Sequence, residues 1–133
     1  MGEGDLPLPG NRFEPDVRVR QSVRLADDLE VVTVPGHSPR SLAVYWSGAP
    51  GGAVLFAGDA LVVWTYEDGR VQLSLGQAPP AGEAILELIA RPVSLLVTCT
   101  GMVAAPSRHL ERLLAAPEKC ARPWRGEDGG VLM

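Results

Sequence analysis

Glycine and proline punctuate the first half of this chain so densely that the apolar runs between them are short. The 133 residues include 15 Gly and 12 Pro, and many of these lie at the boundaries of the runs. Short apolar runs bounded by turn-forming residues are typical of β-strands. The sequence therefore predicts strands at Val17–Leu25, Leu29–Val34, Leu42–Trp46, Ala53–Ala57, Leu61–Tyr66 and Val71–Leu75. A Glu-Asp-Gly turn at 67–69 joins the last two and predicts a hairpin.

The pattern changes from strands to helices after Pro79 and Pro80. Apolar residues then recur at helical spacing in Glu83–Ala90 and in Ser107–Ala116. The mostly apolar segment Val93–Val97 between them predicts a buried strand. A strand-rich first half followed by helix, strand and helix is typical of an α+β protein. We expect a mostly antiparallel sheet with two helices on one of its faces.

Length and charge narrow the class of protein. A chain of 133 residues is enough for one domain with its own core. We expect a flexible arm at 1–15, one domain at 16–118 and a polar, disordered tail at 119–133. The formal net charge of −4 gives no reason to expect a nucleic-acid or anionic-membrane partner. Because we find no signal peptide and no apolar stretch of membrane-spanning length, we expect a cytoplasmic protein.

Two residues at predicted strand ends carry side chains of a type that can bind metal ions. His37 lies in the Pro-Gly loop between the second and third predicted strands, and Asp59 follows the fourth. Imidazole and carboxylate groups are common ligands of divalent metals. Each residue also has an ordinary structural interpretation, because a loop histidine is often only hydrogen-bonded and an aspartate after a strand often forms a turn. Taken singly, neither residue decides between these interpretations.

Together, the two segments resemble the metallo-β-lactamase superfamily. The sequence reads Val-Pro-Gly-His-Ser-Pro at 34–39 and Phe-Ala-Gly-Asp-Ala-Leu at 56–61, which is similar to the PGH(S/T)PG and GDxL motifs of that family. The resemblance extends over Val17–Ala116. It implies the C-terminal half of a four-layered αβ/βα sandwich in which two sheets face each other. It also implies that His37 and Asp59 are metal ligands, usually of zinc, in a hydrolase.

The chain departs from the family pattern at three places. No histidine precedes His37, so the HxHxDH motif of the family's first half is absent from this sequence. Thr100 stands where the family has its last histidine ligand, and a neutral hydroxyl is a poor zinc ligand. Arg40 replaces the final glycine of the loop and adds a positive charge that disfavours a cation. The loop residues concerned are Pro35, Gly36, Ser38 and Arg40.

The remaining polar residues do not complete a metal site. A catalytic zinc takes three protein ligands, whereas the resemblance supplies only His37 and Asp59. We therefore expect no bound cofactor, and zinc only where another chain completes the site. His109 lies in the first turn of the second predicted helix and is expected to face solvent. Cys99 and Cys120 have no metal-binding spacing and are expected to be reduced thiols.

Three interpretations of function remain open at this point, and with them the question of enzyme activity. The first is a metallo-β-lactamase-like protein without hydrolase activity that serves as a binding or assembly module. The second is an ester, thioester or lactam hydrolase that is active only when a partner chain supplies the missing ligands. The third is a piece of a longer product to which any activity belongs.

The apolar strands also predict an oligomeric state. Ala53–Ala57 and Val93–Val97 carry almost no polar residues, so both of their faces are apolar. Two helices cover only one face of a sheet, and soluble monomers rarely expose a large apolar patch. We therefore expect a homodimer in which the uncovered sheet faces of two copies pack together. The alternative is that the arm Met1–Pro15 or the tail folds back over this face.

Overall fold

The computed structural model of the protein describes residues 18–36, 39–76, 83–117 and 130–132. The strands and helices follow one another along the chain with these bounds: β1 Val23–Ala26, β2 Leu29–Thr33, β3 Leu42–Trp46, β4 Val54–Gly58, β5 Leu61–Tyr66, β6 Val71–Leu75, α1 Glu83–Ile89, β7 Leu95–Thr98, β8 Gly101–Ala104, α2 Ser107–Ala115 and β9 Gly130–Leu132.

The strands form two sheets. The larger sheet has six strands in the order β1-β2-β3-β4-β7-β8, in which β4 and β7 run parallel and the other neighbours antiparallel. The smaller sheet has the order β6-β5-β9 and is antiparallel. This mostly antiparallel arrangement with α1 and α2 confirms the predicted α+β class. The predicted hairpin β5–β6 is present, but it pairs with β9 and does not extend the larger sheet.

Proline residues set the limits of both helices. Helix α1 ends at Ile89, shortly before Pro92, because the residue that precedes a proline is disfavoured in the helical conformation. Pro106 is the N-cap of α2, and its carbonyl accepts the first helical hydrogen bond, from the Leu110 N–H at 2.9 Å. In the described part of the chain, no helix is long and apolar enough to cross a membrane.

One face of the six-stranded sheet, here called the inner face, carries the hydrophobic core. Leu55 on β4 and Leu96 on β7 are neighbours at its centre, and both are completely buried. Side chains from both helices and from the β5–β6 hairpin belong to the same cluster, so these elements lie on the same face, as predicted for the helices. These side chains are Leu61, Val63, Leu73, Leu75, Ile85, Leu88, Ile89, Leu110 and Leu113.

The opposite face of this sheet, here called the outer face, is apolar and partly exposed. Strand register assigns to it Val23, Leu29, Val31, Thr33, Leu42, Val44, Trp46, Val54, Phe56, Leu95, Val97, Met102 and Ala104. Met102 is 69% exposed and Phe56 is 39% exposed. Of the apolar residues that β4 carries on this face, Val54 is buried and Phe56 is exposed, because no helix or hairpin of the described residues packs over Phe56.

Three elements differ most from the sequence-based expectation. Strand β1 begins only at Val23, and Val19 forms an isolated bridge instead of lying in one long strand. Strand β8 was not expected, because Gly101–Ala104 is short and its pairing with β7 is a tertiary contact. Strand β9 lies within the segment expected to be a disordered tail, and it pairs with β5. The arm expected at 1–15 lies outside the described residues.

Candidate functional site at the rim of the six-stranded sheet

Three connecting segments meet at one edge of the six-stranded sheet, here called the sheet rim. Thr33 at the end of β2 pairs with Leu42 at the start of β3, so both ends of the 34–41 loop are there. Gly58 at the end of β4 lies close to the Leu42 carbonyl and pairs with Thr98 at the end of β7. The strand order therefore brings this loop, the turn after β4 and the turn after β7 to the same edge.

The loop that contains His37 begins and ends at the sheet rim. The Val34 N–H donates a hydrogen bond to the Ser41 carbonyl at 2.8 Å and closes the base of the loop. His37 and Ser38 lie outside the described residues, so the proximity of His37 to Asp59 stays a prediction. Among the other loop residues, Pro35 and Arg40 are exposed and Gly36 is half-buried.

Asp59 and Cys99 lie together at the rim because β4 and β7 are parallel neighbours that end side by side. Asp59 directly follows Gly58, whose φ of +57° turns the chain out of β4. The Cys99 N–H donates to the Gly58 carbonyl at 3.2 Å, which holds the two turns in register. Both side chains are exposed. Desolvation raises the pKa of the Cys99 thiol above its usual value, and its hydrogen bond to the Asp59 carboxylate and the charge of that carboxylate raise the pKa further.

Thr100, which stands where the resembled family has a histidine, has a structural contact in the turn between β7 and β8. Its hydroxyl accepts a hydrogen bond from the Val63 N–H at 2.8 Å and lies 3.2 Å from the Thr98 hydroxyl. The Thr98 hydroxyl also donates to the Gly101 carbonyl at 2.9 Å. Thr100 therefore connects the β5–β6 hairpin to the turn, which is a role that a metal-binding histidine could not share.

The described rim residues do not fit a catalytic zinc ion. Asp59 and Cys99 offer two suitable donor atoms, and Thr100 offers a neutral hydroxyl that is already hydrogen-bonded. Across the described ranges, no group of three or more His, Cys, Asp and Glu side chains could hold a metal ion together. Since a catalytic zinc takes three protein ligands and a water molecule, these residues alone do not form such a site.

His109 is far from this pair in the fold. It lies in α2, is half-buried and lines a cavity between α2 and β6 together with Arg108 and Arg112. The expectation of a histidine that only faces solvent is therefore incomplete, because the sequence does not reveal that β6 packs beside this helix.

The proximity of Cys99 to Asp59 is the feature that sequence reasoning missed. Cys99 is one residue from the Thr100 position, and such an offset along a strand normally turns a side chain to the other face. Here the strand β7 ends at Thr98, so Cys99 lies in the turn and does not follow that alternation. The available signal was that Asp59 and Cys99 each follow a short apolar strand directly, as residues at the carboxyl ends of parallel strands do.

Comparisons with known proteins find a similarity to a solved structure. No family model matches the chain, and no curated protein matches it. Among solved structures, the chain is similar to an archaeal metallo-β-lactamase superfamily protein from Sulfolobus tokodaii, with 19% sequence identity and a TM-score of 0.42. The match covers 71% of this chain and 37% of that protein, so the chain spans little more than a third of its length.

Proposed function

We propose that this chain is an assembly module that forms a homodimer through its outer face and has no hydrolase activity of its own. The observation that carries the proposal is a six-stranded sheet face without a charged residue, on which large apolar side chains remain exposed. Soluble monomers rarely leave a contiguous apolar patch of this kind in water, so such patches mark contact surfaces.

The shape of the outer face suits a sheet-on-sheet contact. Six strands at a spacing of about 4.8 Å make a face about 24 Å wide. Aromatic and branched side chains alternate across it, with Trp46 beside Val54 and Phe56 between Val44 and Val97. Two such faces pack about 10 Å apart, and their side chains interdigitate. Each exposed apolar group covered in this way contributes about 25 cal/mol per Å².

The charge distribution permits a second copy as the partner. The chain has a net charge of −4, which opposes association of identical copies. The outer face itself is uncharged, so two copies can bring these surfaces together while their charged groups stay at a distance. A two-fold axis through the face gives each residue the same environment in both copies and closes the assembly at two.

The proposed lack of hydrolase activity is supported by the ligands that the chain offers. The motifs supply His37 and Asp59, whereas the position of the third ligand is occupied by Thr100, whose hydroxyl is engaged by the Val63 N–H. A metal ion held by two side chains is weakly bound, and metal-activated water then has no stable position. The dimer proposal does not depend on this argument, because the rim residues are not part of the outer face.

Sedimentation velocity at micromolar concentration tests the dimer. The informative variant is Phe56→Asp, which places a carboxylate in the middle of the outer face. Leu114→Asp is the matched control, because Leu114 is 37% exposed, close to the 39% of Phe56, and lies on α2 instead. We expect wild type and Leu114→Asp to sediment as dimers. We expect Phe56→Asp to dissociate at least about tenfold more readily, because an unpaired charge is costly to bury.

A folding check and a second variant complete this test. Circular dichroism must show that Phe56→Asp retains its strand content, and Met102→Asp at the edge of the same face provides a second variant in case it does not. A wild-type monomer at about 100 μM, or dimers equally weakened by Phe56→Asp and Leu114→Asp, would rule out the outer face as the dimer interface.

A second candidate function is a metal-dependent hydrolase of ester, thioester or lactam type that is completed by another chain. Its support is the convergence of Asp59 and Cys99 at one rim beside the apolar face where another chain would pack. A hydrolysis assay with one zinc ion per chain compares the isolated protein with its complex with the chain that completes the site. Hydrolysis only in the complex, abolished by Asp59→Ala, would favour this candidate over the inactive module.

A further inference from the structure

A cavity of about 370 Å³ lies between α2 and the edge strand β6, away from both the sheet rim and the outer face. Cavities of about 300–1,000 Å³ are typical of small-molecule sites in proteins. Its polar lining comes from Tyr66, Arg70, Gln72, Arg108, His109 and Arg112. We propose that this cavity binds a small organic phosphate through its arginine side chains.

The charge of the cavity is opposite to that of the whole chain. Arg70, Arg108 and Arg112 are three of the 12 Lys and Arg residues in a protein with a net charge of −4. Among the residues that the structure describes, no carboxylate lines the cavity, and the adjacent Asp68 accepts a hydrogen bond from Arg70 Nε at 2.6 Å. This concentration of positive charge in one concave site favours an anionic ligand by direct attraction.

Two of these arginines have side-chain N–H donors that are available to a ligand. Arg108 and Arg112 are exposed and four residues apart, so they lie on the same side of α2. Within the described residues, neither side chain makes a hydrogen bond or an ion pair. A guanidinium group presents paired N–H donors whose geometry matches two oxygens of a phosphate, and two such groups can hold one phosphate from both sides.

The opposite wall of the cavity is held in place by contacts of its own. The Tyr66 hydroxyl donates to Gln72 Oε1 at 2.7 Å, which orients the Gln72 amide N–H groups as further donors. The Arg70 guanidinium stacks over the Tyr66 ring at 4.8 Å. Arg70 uses its Nε to bind Asp68, so its terminal nitrogens remain as donors for a ligand.

The dimensions and lining favour a phosphate that carries an organic group. The cavity is larger than a phosphate ion needs, and Val71 and the Tyr66 ring add apolar surface beside the arginines. Aromatic and aliphatic walls with a few convergent polar groups are typical of sites for small organic ligands. A polyanion such as nucleic acid is disfavoured, because the rest of the chain has a negative balance.

Isothermal titration with phenyl phosphate and with inorganic phosphate tests the proposal at constant ionic strength in sodium chloride. We expect saturable binding of phenyl phosphate with a Kd of about 1 mM or lower. In Arg108→Gln/Arg112→Gln, this binding should weaken at least about tenfold, because charge-assisted hydrogen bonds to the phosphate are lost. The matched control Arg18→Gln/Arg24→Gln removes the same charge from exposed positions outside the cavity and should change the Kd less than about twofold.

A second measurement on the wild-type protein needs no variant. The Nε–Hε resonances of Arg108 and Arg112 should shift on titration with phenyl phosphate and follow the same Kd. Equal weakening in the two double variants would show only general electrostatic attraction and would overturn the site. Absence of saturable binding up to about 20 mM would do the same, and equal affinity for inorganic phosphate would overturn the organic part of the proposal.

Discussion

The carboxylate of Asp59 lies beside the thiol of Cys99 and raises its pKa, although the two residues are far apart in the sequence. Their contact exists because β4 and β7 are parallel neighbours and each residue directly follows the end of its strand. The carboxylate favours the neutral thiol in two ways, since it can accept a hydrogen bond from the thiol and it repels the negative charge of the thiolate. The raised pKa lowers the thiolate fraction of Cys99 at neutral pH.

The reactivity of Cys99 should depend on Asp59. The variant Asp59→Asn removes the negative charge, so the pKa of the thiol should fall and its alkylation by iodoacetamide at about pH 8 should become roughly threefold faster or more. Peptide mass spectrometry in a Cys120→Ser background measures the rate at Cys99 alone. Asp27→Asn, at an exposed turn beside β1, is the control and should leave the rate unchanged. An unchanged rate in Asp59→Asn would contradict the hydrogen bond.

The purified protein should hold much less than one metal ion per chain. The motifs supply only His37 and Asp59 as ligands, and Arg40 adds positive charge to the loop that ends at the same rim. Elemental analysis for zinc, iron and manganese after extensive dialysis measures this directly. One tightly held metal per chain, lost in Asp59→Ala or Cys99→Ala, would show that the site is complete and that the inactive-module proposal is wrong.

The hydroxyl of Thr100 should contribute measurably to stability. The variant Thr100→Val keeps the shape of the side chain but leaves the N–H of Val63, which is 1% exposed, without its acceptor. The expected loss is about 1–2 kcal/mol in the free energy of unfolding. Thr100→Ser retains the hydroxyl and should lose clearly less. Urea denaturation at 25 °C compares the three proteins, and equal stability of Thr100→Val and wild type would argue against the bond.

The ion pair between Glu30 and Arg91 should make stability depend on pH in the acid range. Arg91 donates to the Glu30 carboxylate at 2.7 Å and lowers the pKa of that carboxyl below its usual value of 4.5. Because the folded-state pKa is the lower one, the stabilisation is present above about pH 4.5 and is lost as the pH falls through the folded-state pKa.

The variant Glu30→Gln tests this dependence. At pH 7 it should cost about 0.5 kcal/mol, a small value because the Arg91 side chain is 42% exposed and solvent screens the pair. The difference from wild type should shrink as the solution is acidified below pH 4.5. Glu87→Gln on the exposed side of α1 is the control and should show no such trend. A cost that stays constant with pH would mean that packing, not charge, accounts for the effect.

Much of the fold could be predicted from the sequence because it depends on neighbouring residues. The bounds of β3, β5 and β6 were predicted to the residue, and those of α1 and α2 to within one residue at the C-terminal end. Alternation of apolar side chains, Gly-Pro turns and helical spacing act over a few residues, so they are visible in the sequence. The motifs around Asp59 also indicated the fold resemblance and the edge at which the candidate site lies.

Tertiary contacts decided the rest. Only the pairing of β4 with β7 brings Cys99 to Asp59, and only the pairing of β7 with β8 forms the turn in which Thr100 binds the Val63 N–H. Packing of the hairpin and both helices on the inner face leaves Phe56 exposed on the other. The physical reason is that a strand's sequence fixes which side chains share a face, while its partners and their register depend on residues distant along the chain.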